Sequence, residues 1–321
     1  MLVYTLRRIA IMIPIIFLVS VVVFFLANMM PGDALSGKID PLNSDPQYIA
    51  DMREKLGLND PIYVQYGHWI SGFLQGDFGQ SFVHKLPVSE LVLSRLPNTI
   101  LLAVIAMFIT YIVAFLMGRY AGRRPNTTGD YGVQILNYLA LAMPSFVAAL
   151  LLIYFVSFQL GWLPASGSIG SGIEPGTWDY IVSKIKHAVL PSLCLGLLPI
   201  ASYTQFLRND MIESAQKDYV RTARAKGTPE KKIYNKHILR NSVIPIVTLL
   251  GFDLAGIIGG SVIIETIFTY PGVGQLFIDS ISNRDYTVVM AITMLLTVMT
   301  LIGNLIADIL YAAVDPRIRL D

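Results

Sequence analysis

Six stretches of this chain stay apolar over roughly twenty residues, the length a helix needs to cross a hydrocarbon core. They fall at 9–30, 99–118, 133–158, 188–207, 243–264 and 287–312. A soluble fold of this size needs a charged surface, and ordinary soluble domains carry about 25% charged residues. Here the figure is 14% of 321 residues, and mean hydropathy is +0.58. Lipid offers no partner to an unpaired backbone amide, so every span is expected to be helical. The prediction is an all-α integral membrane protein with six transmembrane helices.

The first run follows Arg7-Arg8 and in that respect resembles a signal peptide. Signal-peptide cores run roughly 7–15 apolar residues before a small-x-small cleavage site. Ile9 to Met30 is 22 residues long, and no such site precedes the turn at Pro31-Gly32-Asp33. An uncleaved first span is expected. Lys and Arg in the connections then set the orientation. With the N-terminus inside, the cytoplasmic pieces are 1–8, 119–132, 208–242 and 313–321, and they hold 16 of the 24 basic residues. The outer segments hold the other 8 against 13 acidic residues. Both termini are therefore expected in the cytoplasm of a multi-pass cell-membrane protein.

A net charge of +2 makes no case for nucleic acid as a partner. The single cysteine, Cys194, cannot form an intrachain disulfide and sits in an apolar stretch, where a packed thiol is expected. His68, His84, His187 and His237 are scattered without ligand spacing. No metal and no cofactor is expected.

Residues 31–98 form a small outer segment rather than a linker. Asp45 to Leu56 reads as a short helix ending at Gly57, and Tyr63, Tyr66, Trp69, Ile70, Phe73 and Leu74 recur at helical spacing. That stripe is either a face packed on the membrane helices or in the headgroup layer, or a docking surface for an external partner. Within the spans, Pro14, Pro144, Pro191, Pro199 and Pro245 remove helix hydrogen bonds, and Gly256 and Gly260 form a small-xxx-small pair suited to close helix contact. Two acids fall inside spans, Asp253 and Asp308, and intramembrane ionisable residues are functional candidates.

The longest cytoplasmic connection, 208–242, holds nine basic and four acidic residues. Asp210 and Glu213 are read as early in its first helix, with Arg221, Arg224 and Lys226 late, a polarity that complements a helix dipole. Gly227 supplies a stop, Thr228 a new N-cap and Pro229 a preferred first helical position. The expected product is helix, tight turn, helix. Basic cytoplasmic loops commonly touch anionic lipid. A rigid capped turn between two spans is also a good lever, which an unstructured basic loop is not.

This segment resembles the cytoplasmic coupling loop of ABC-importer permeases in the dipeptide/oligopeptide/nickel subfamily. The resemblance implies that Arg221, Thr222, Ala223, Arg224, Ala225, Lys226, Gly227, Thr228 and Pro229 meet an ATPase subunit. The family's Glu-Ala-Ala is replaced here by Arg221-Thr222-Ala223. Further matches to the B-type subunit are Gly57 to Pro61, Gln75 to Ser81, Arg95 to Thr99, Gly259 to Glu265, Phe268 to Gly274, Arg284 to Tyr286 and Asp308 to Arg317. Tyr270, Pro271 and Gly272 would lie at the outer gate or meet the binding protein. The family has a type I importer fold, which implies four regions: a first transmembrane helix at 1–30, an extracytoplasmic domain at 31–94, a five-helix core at 95–312 and a tail at 313–321.

The chain has no G-x-x-x-x-G-K-[ST] loop to cradle ATP, no G-x-S-x-G elbow and no H-E-x-x-H helix. A non-catalytic permease is expected. The implied assembly contains a homologous second permease, two ATPases that bind ATP and Mg, and an outer substrate-binding protein. The resemblance favours a peptide substrate, an oligopeptide or a dipeptide, and leaves a nickel complex open. An ion-gradient-driven secondary transporter using Asp253 or Asp308 is the alternative.

Overall fold

The computed structural model describes residues 2–29, 59–243 and 261–314, together with positions 47, 51, 54, 57, 246 and 259. Its principal helices are α1 (Leu2–Met29), α2 (Ile62–Leu74), α3 (Val88–Arg123), α4 (Thr128–Ala142) and α5 (Ser145–Leu152). They continue with α6 (Trp178–Ser214), α7 (Asp218–Ala225), α8 (Glu230–Lys232), α9 (Val273–Ser282) and α10 (Tyr286–Val314). Wide π-type turns extend α5 over Ile153–Gln159 and α8 over Ile233–Ile238.

Among the described residues, four helices are long and apolar enough to cross a membrane: Thr5–Met29, Val88–Arg123, Trp178–Ser214 and Tyr286–Ile309. A fifth crossing is available if α4 and the Ser145–Gln159 segment act as one span, bent by 108° at a break between them. Most of the run at 243–264, with Asp253, Pro245 and the Gly256/Gly260 pair, lies outside the described residues.

The third run is therefore not one straight helix. Met143 and Pro144 are both extended, with ψ of 120° and 139°. A residue before proline is pushed out of the helical region, and here the chain yields to that preference. Pro14, Pro191 and Pro199 instead lie inside continuous helices. The prolines interrupt hydrogen bonds as expected, but among the described ones within spans only Pro144 turns the chain.

The contacts divide the chain into two compact units. One comprises residues 2–99 and 271–302. In it, Tyr66 of α2 places its Oη 2.8 Å from Ser20 Oγ on α1, and the Phe24 ring lies 5.4 Å from Tyr66 and 5.6 Å from Trp69. The aromatic stripe of α2 is thus a packing face on α1, while Tyr63 and Leu74 stay exposed. Of the helix expected over 45–56, positions 47, 51 and 54 are described and helical, and Gly57 takes φ +64°. Val88, Leu91 and Val92 form a core with Val273, Leu276, Val288 and Ile292. The apolar side chains Ile13, Leu18 and Leu26 remain exposed on α1, as befits a helix whose surroundings are lipid.

The other unit comprises residues 100–270 and 303–321. One core gathers Leu102, Ala149, Ala188, Leu190, Cys194, Ile264, Phe268 and Tyr270. A second gathers Ala114, Tyr203, Leu207, Met211, Val220, Ala223, Ile233 and Ile238. This second core holds the segment singled out as a lever.

Candidate coupling site

The segment begins on the tail of α6, which runs 37 residues and ends at Ser214. Asp210 and Glu213 belong to that tail and not to the helix after it, which corrects the dipole argument made for them. The argument holds for α7, whose first turn carries Asp218 and whose last carries Arg224. The amphipathic pattern of α7 is simple. Val220 and Ala223, three apart, face the core with Ile233 and Ile238. Tyr219, Arg221, Thr222, Arg224, Ala225, Lys226, Gly227 and Pro229 are exposed, and Thr228 is half-buried.

The turn is closed as a glycine-terminated helix end. Gly227 has φ +70°, its N–H donates to the Arg224 carbonyl at 2.9 Å, and the Thr228 N–H donates to the Ala223 carbonyl at 3.1 Å. These bonds satisfy two carbonyls that a helix end otherwise leaves open. A Cβ at Gly227 would meet nothing within 4 Å, so glycine is required by conformation and not by space. The restart lies one residue later than expected. Pro229 is the cap (φ −59°, ψ 138°), its carbonyl accepts from the N–H groups of Lys232 and Ile233, and Thr228 makes no cap. Thr228 precedes proline and is held out of the helical region.

A second tie crosses the turn. Arg224 Nε lies 2.7 Å from Glu230 Oε1, joining α7 to α8. The Glu230 carboxylate raises the pKa of that guanidinium, chiefly through the hydrogen bond. The base of the segment is held too: Arg119 Nη2 donates to Asn235 Oδ1 at 3.3 Å, and the Arg123 guanidinium lies 5.9 Å from the Tyr234 ring centre. The result is a short, exposed, internally braced projection. Lys231, Lys232, Lys236 and Arg240 add four cations along the outer side of its second half, around a shallow hollow of about 630 Å³.

The outer candidates sit differently. Tyr270 and Gly272 are buried and Pro271 is half-buried. Burial, and next the charge of Glu265, push the Tyr270 hydroxyl well above its usual pKa. Around this segment the structure joins motifs that are far apart in sequence. Asn98 Nδ2 donates to the Pro271 carbonyl at 2.8 Å, and the Val273 N–H donates to Thr99 Oγ1 at 2.9 Å. Ser81 Oγ donates to Asp285 Oδ2 at 2.5 Å, and the Val83 N–H reaches the same oxygen at 3.2 Å. Arg95–Thr99 is thereby tied to the turn around Pro271, and Gln75–Ser81 to Arg284–Tyr286. Asp308 is half-buried on α10, and Arg317 and Arg319 lie outside the described residues.

One pair escaped the sequence altogether. Asp130 and Arg208 form a two-pronged ion pair, Nε to Oδ1 at 2.6 Å and Nη2 to Oδ2 at 2.8 Å. The available signal was Thr127 followed three residues later by an acid, a helix-start pattern. Arg208 carried none beyond its charge.

With this geometry in hand, comparison with known proteins is direct. Residues 114–320 match the family described as binding-protein-dependent transport system inner membrane component, and residues 1–103 match the N-terminal family of such membrane components. The chain is 42% identical to the oligopeptide transport system permease protein AppB of Bacillus subtilis over 320 residues, covering 98% of this chain and 99% of that one. It is 37% identical over 319 residues to the glutathione transport system permease protein GsiC of Escherichia coli K12 and to that of Salmonella typhimurium LT2. Each of those alignments covers 99% of both chains.

Proposed function

This chain belongs to the binding-protein-dependent transport system inner membrane components, and on that premise we propose that it forms half of an import pathway for oligopeptides. It is a permease subunit of an ABC importer and not itself an enzyme; ATP is hydrolysed by partner ATPases. The family implies a second permease, ATPases and a binding protein in general terms. The finer reading is one homologous permease, two ATPases that bind ATP and Mg, and an extracytoplasmic binding protein. Both termini are cytoplasmic in this reading, residues 31–94 lie outside, 95–312 form the translocating core and 313–321 the tail.

The observation that carries the coupling role is the braced turn at Gly227. Movement of an ATPase can be passed to the spans only through a projection that does not itself yield. Residues 221–229 meet that need through two backbone bonds at the helix end, the Arg224–Glu230 pair and two buried anchors, Val220 and Ala223. Tyr270, Pro271 and Gly272 are read as part of the outer closure, acting through packing. Peptide is favoured as substrate because the relatives above are named for an oligopeptide and for glutathione, itself a short peptide.

The test is uptake by proteoliposomes containing this chain, its companion subunits and the binding protein. A labelled alanine pentapeptide should enter only with ATP inside the ATPase compartment, and excess unlabelled pentapeptide should compete. Entry driven by a proton or sodium gradient without ATP would favour the secondary-transport alternative instead. ATP-dependent entry of glutathione but not the pentapeptide would overturn the oligopeptide assignment alone.

A further inference from the structure

Asp130 is a fully buried carboxylate in a part of the chain that sequence reading treated as a simple connection. It lies in the first turn of α4 and receives both prongs of the Arg208 guanidinium. A third donor, the Asn126 N–H, meets Oδ2 at 2.8 Å from a residue held at φ +62°. Thr127 caps the same turn, its Oγ1 accepting from the Asp130 N–H at 3.4 Å and donating to the Arg124 carbonyl at 2.8 Å. The carboxylate is thus fixed in position and orientation. Its partner, 12% exposed at the side chain, sits on the α6 tail between Leu207 and Asn209.

The tail is also pinned by close helix contact with α3. A Cβ at Gly122 of α3 would lie 2.9 Å from Met211 Cβ and 3.3 Å from Arg208 Cα, so the two helices meet with no side chain between them. From Arg208 to the end of α6 is about 9 Å of helix at 1.5 Å per residue. Helix α7 starts four residues after that end. Between α7 and the Asp130–Arg208 pair lie only the turn at 215–217 and the last turns of α6.

Stability alone is a poor explanation for such a pair. Desolvating two charges roughly cancels their attraction, and apolar side chains of similar volume commonly serve as well. What a two-pronged buried pair supplies is a fixed register between two elements. The element on the far side is α4, a separate 15-residue helix set off by the 108° bend from the rest of its span and packed along α6, so the pair fixes the register of that contact.

We infer that the Asp130–Arg208 pair is the joint through which movement of the coupling segment is passed to the first half of the third span. This rests on the reading of 221–229 as the contact with the ATPase. Asp130 and Arg208 are positioning residues: neither is assigned a contact with peptide or nucleotide.

The test uses the whole transporter, purified through this chain and reconstituted with the binding protein, with ATP hydrolysed per labelled alanine pentapeptide imported as the readout. Asp130→Asn and Arg208→Gln should retain their ATPases and hydrolyse ATP, yet raise that ratio at least about fivefold. The exchanged pair, Asp130→Arg with Arg208→Asp, should bring the ratio back toward the parent value. Arg208→Lys keeps the charge but loses the fork, and should raise the ratio by less. An unchanged ratio in Asp130→Asn and Arg208→Lys overturns the inference, as does loss of assembly in all four variants. A Gly227→Val control separates the two ideas: if it assembles and couples normally, the reading of the segment has failed, whatever the Asp130 variants do.

Discussion

At the scale of single residues, Gly227 is the position on which the coupling reading turns. Its φ of +70° is a conformation that costs a residue with a Cβ roughly 1–2 kcal/mol, and the surrounding space is open. Gly227→Val should therefore strain the turn without a clash inside the protein, and it adds bulk at the tip of the projection. The chain should insert into membranes normally but lose most of its copurification with the ATPases, or keep it with uptake reduced at least about fivefold. Asparagine tolerates the left-handed conformation better than other residues with a Cβ, so Gly227→Asn should keep more activity than Gly227→Val. Wild-type uptake and assembly in Gly227→Val would remove the coupling role from this turn. The same scale shows why Arg224 is an ambiguous probe: its guanidinium is already engaged by Glu230, so its loss disturbs the turn as well as any outside contact.

At the scale of elements, hydropathy located the four straight spans among the described residues, because burial in lipid is a property of composition over twenty residues. It said little about how each span is built. The overshoot of α6 to Ser214, the wide turns after Leu152 and Lys232, and the break at Pro144 depend on backbone hydrogen bonding, which apolarity does not encode. The turn at Gly227 was legible because a glycine stop followed by proline acts locally. The ties between outer segments were not, since Ser81 and Asp285 are 204 positions apart and Asn98 and Pro271 are 173 apart. Their polar residues read in sequence as ordinary loop residues. The contact between Thr99 and α9 tests how much such ties matter. The Val273 N–H at the start of α9 is buried and bound to Thr99 Oγ1, so Thr99→Val, nearly the same shape, leaves that donor unsatisfied. The expected cost is about 1–3 kcal/mol, read as a lower melting temperature of the purified chain in detergent. Thr99→Ser keeps the acceptor and should lie nearer the parent. Equal melting of Thr99→Val and the parent would show that this tie does not hold α9.

At the scale of the whole molecule, orientation and the fate of the bent third span are one question. Among the described residues four helices can cross, the run at 243–264 supplies another apolar stretch in the sequence, and α4 with its bent continuation either crosses or turns back. If it crosses, the number of crossings is even, and the basic residues place 208–242 with both termini in the cytoplasm. If it is re-entrant, α6 carries 208–242 to the outside, where no ATPase could meet it. Three cysteine substitutions at exposed positions separate these cases: Ser71 on α2, Ser171 between the third span and α6, and Ala225 at the end of α7. The native Cys194 is buried, out of reach of an aqueous reagent, so background labelling should be small. In intact cells with outer access, an impermeant maleimide should label Ser71→Cys and Ser171→Cys and spare Ala225→Cys until the membrane is opened. Protection at Ser171 with labelling at Ala225 would make the bent pair a re-entrant loop and remove the coupling segment from the cytoplasm. Protection at Ser71 and Ser171 with labelling at Ala225 would invert the whole chain. Since Ser71 labels in both the expected and the re-entrant case, Ser171 and Ala225 carry the decision, and only their combined pattern leaves the Gly227 turn where an ATPase can reach it.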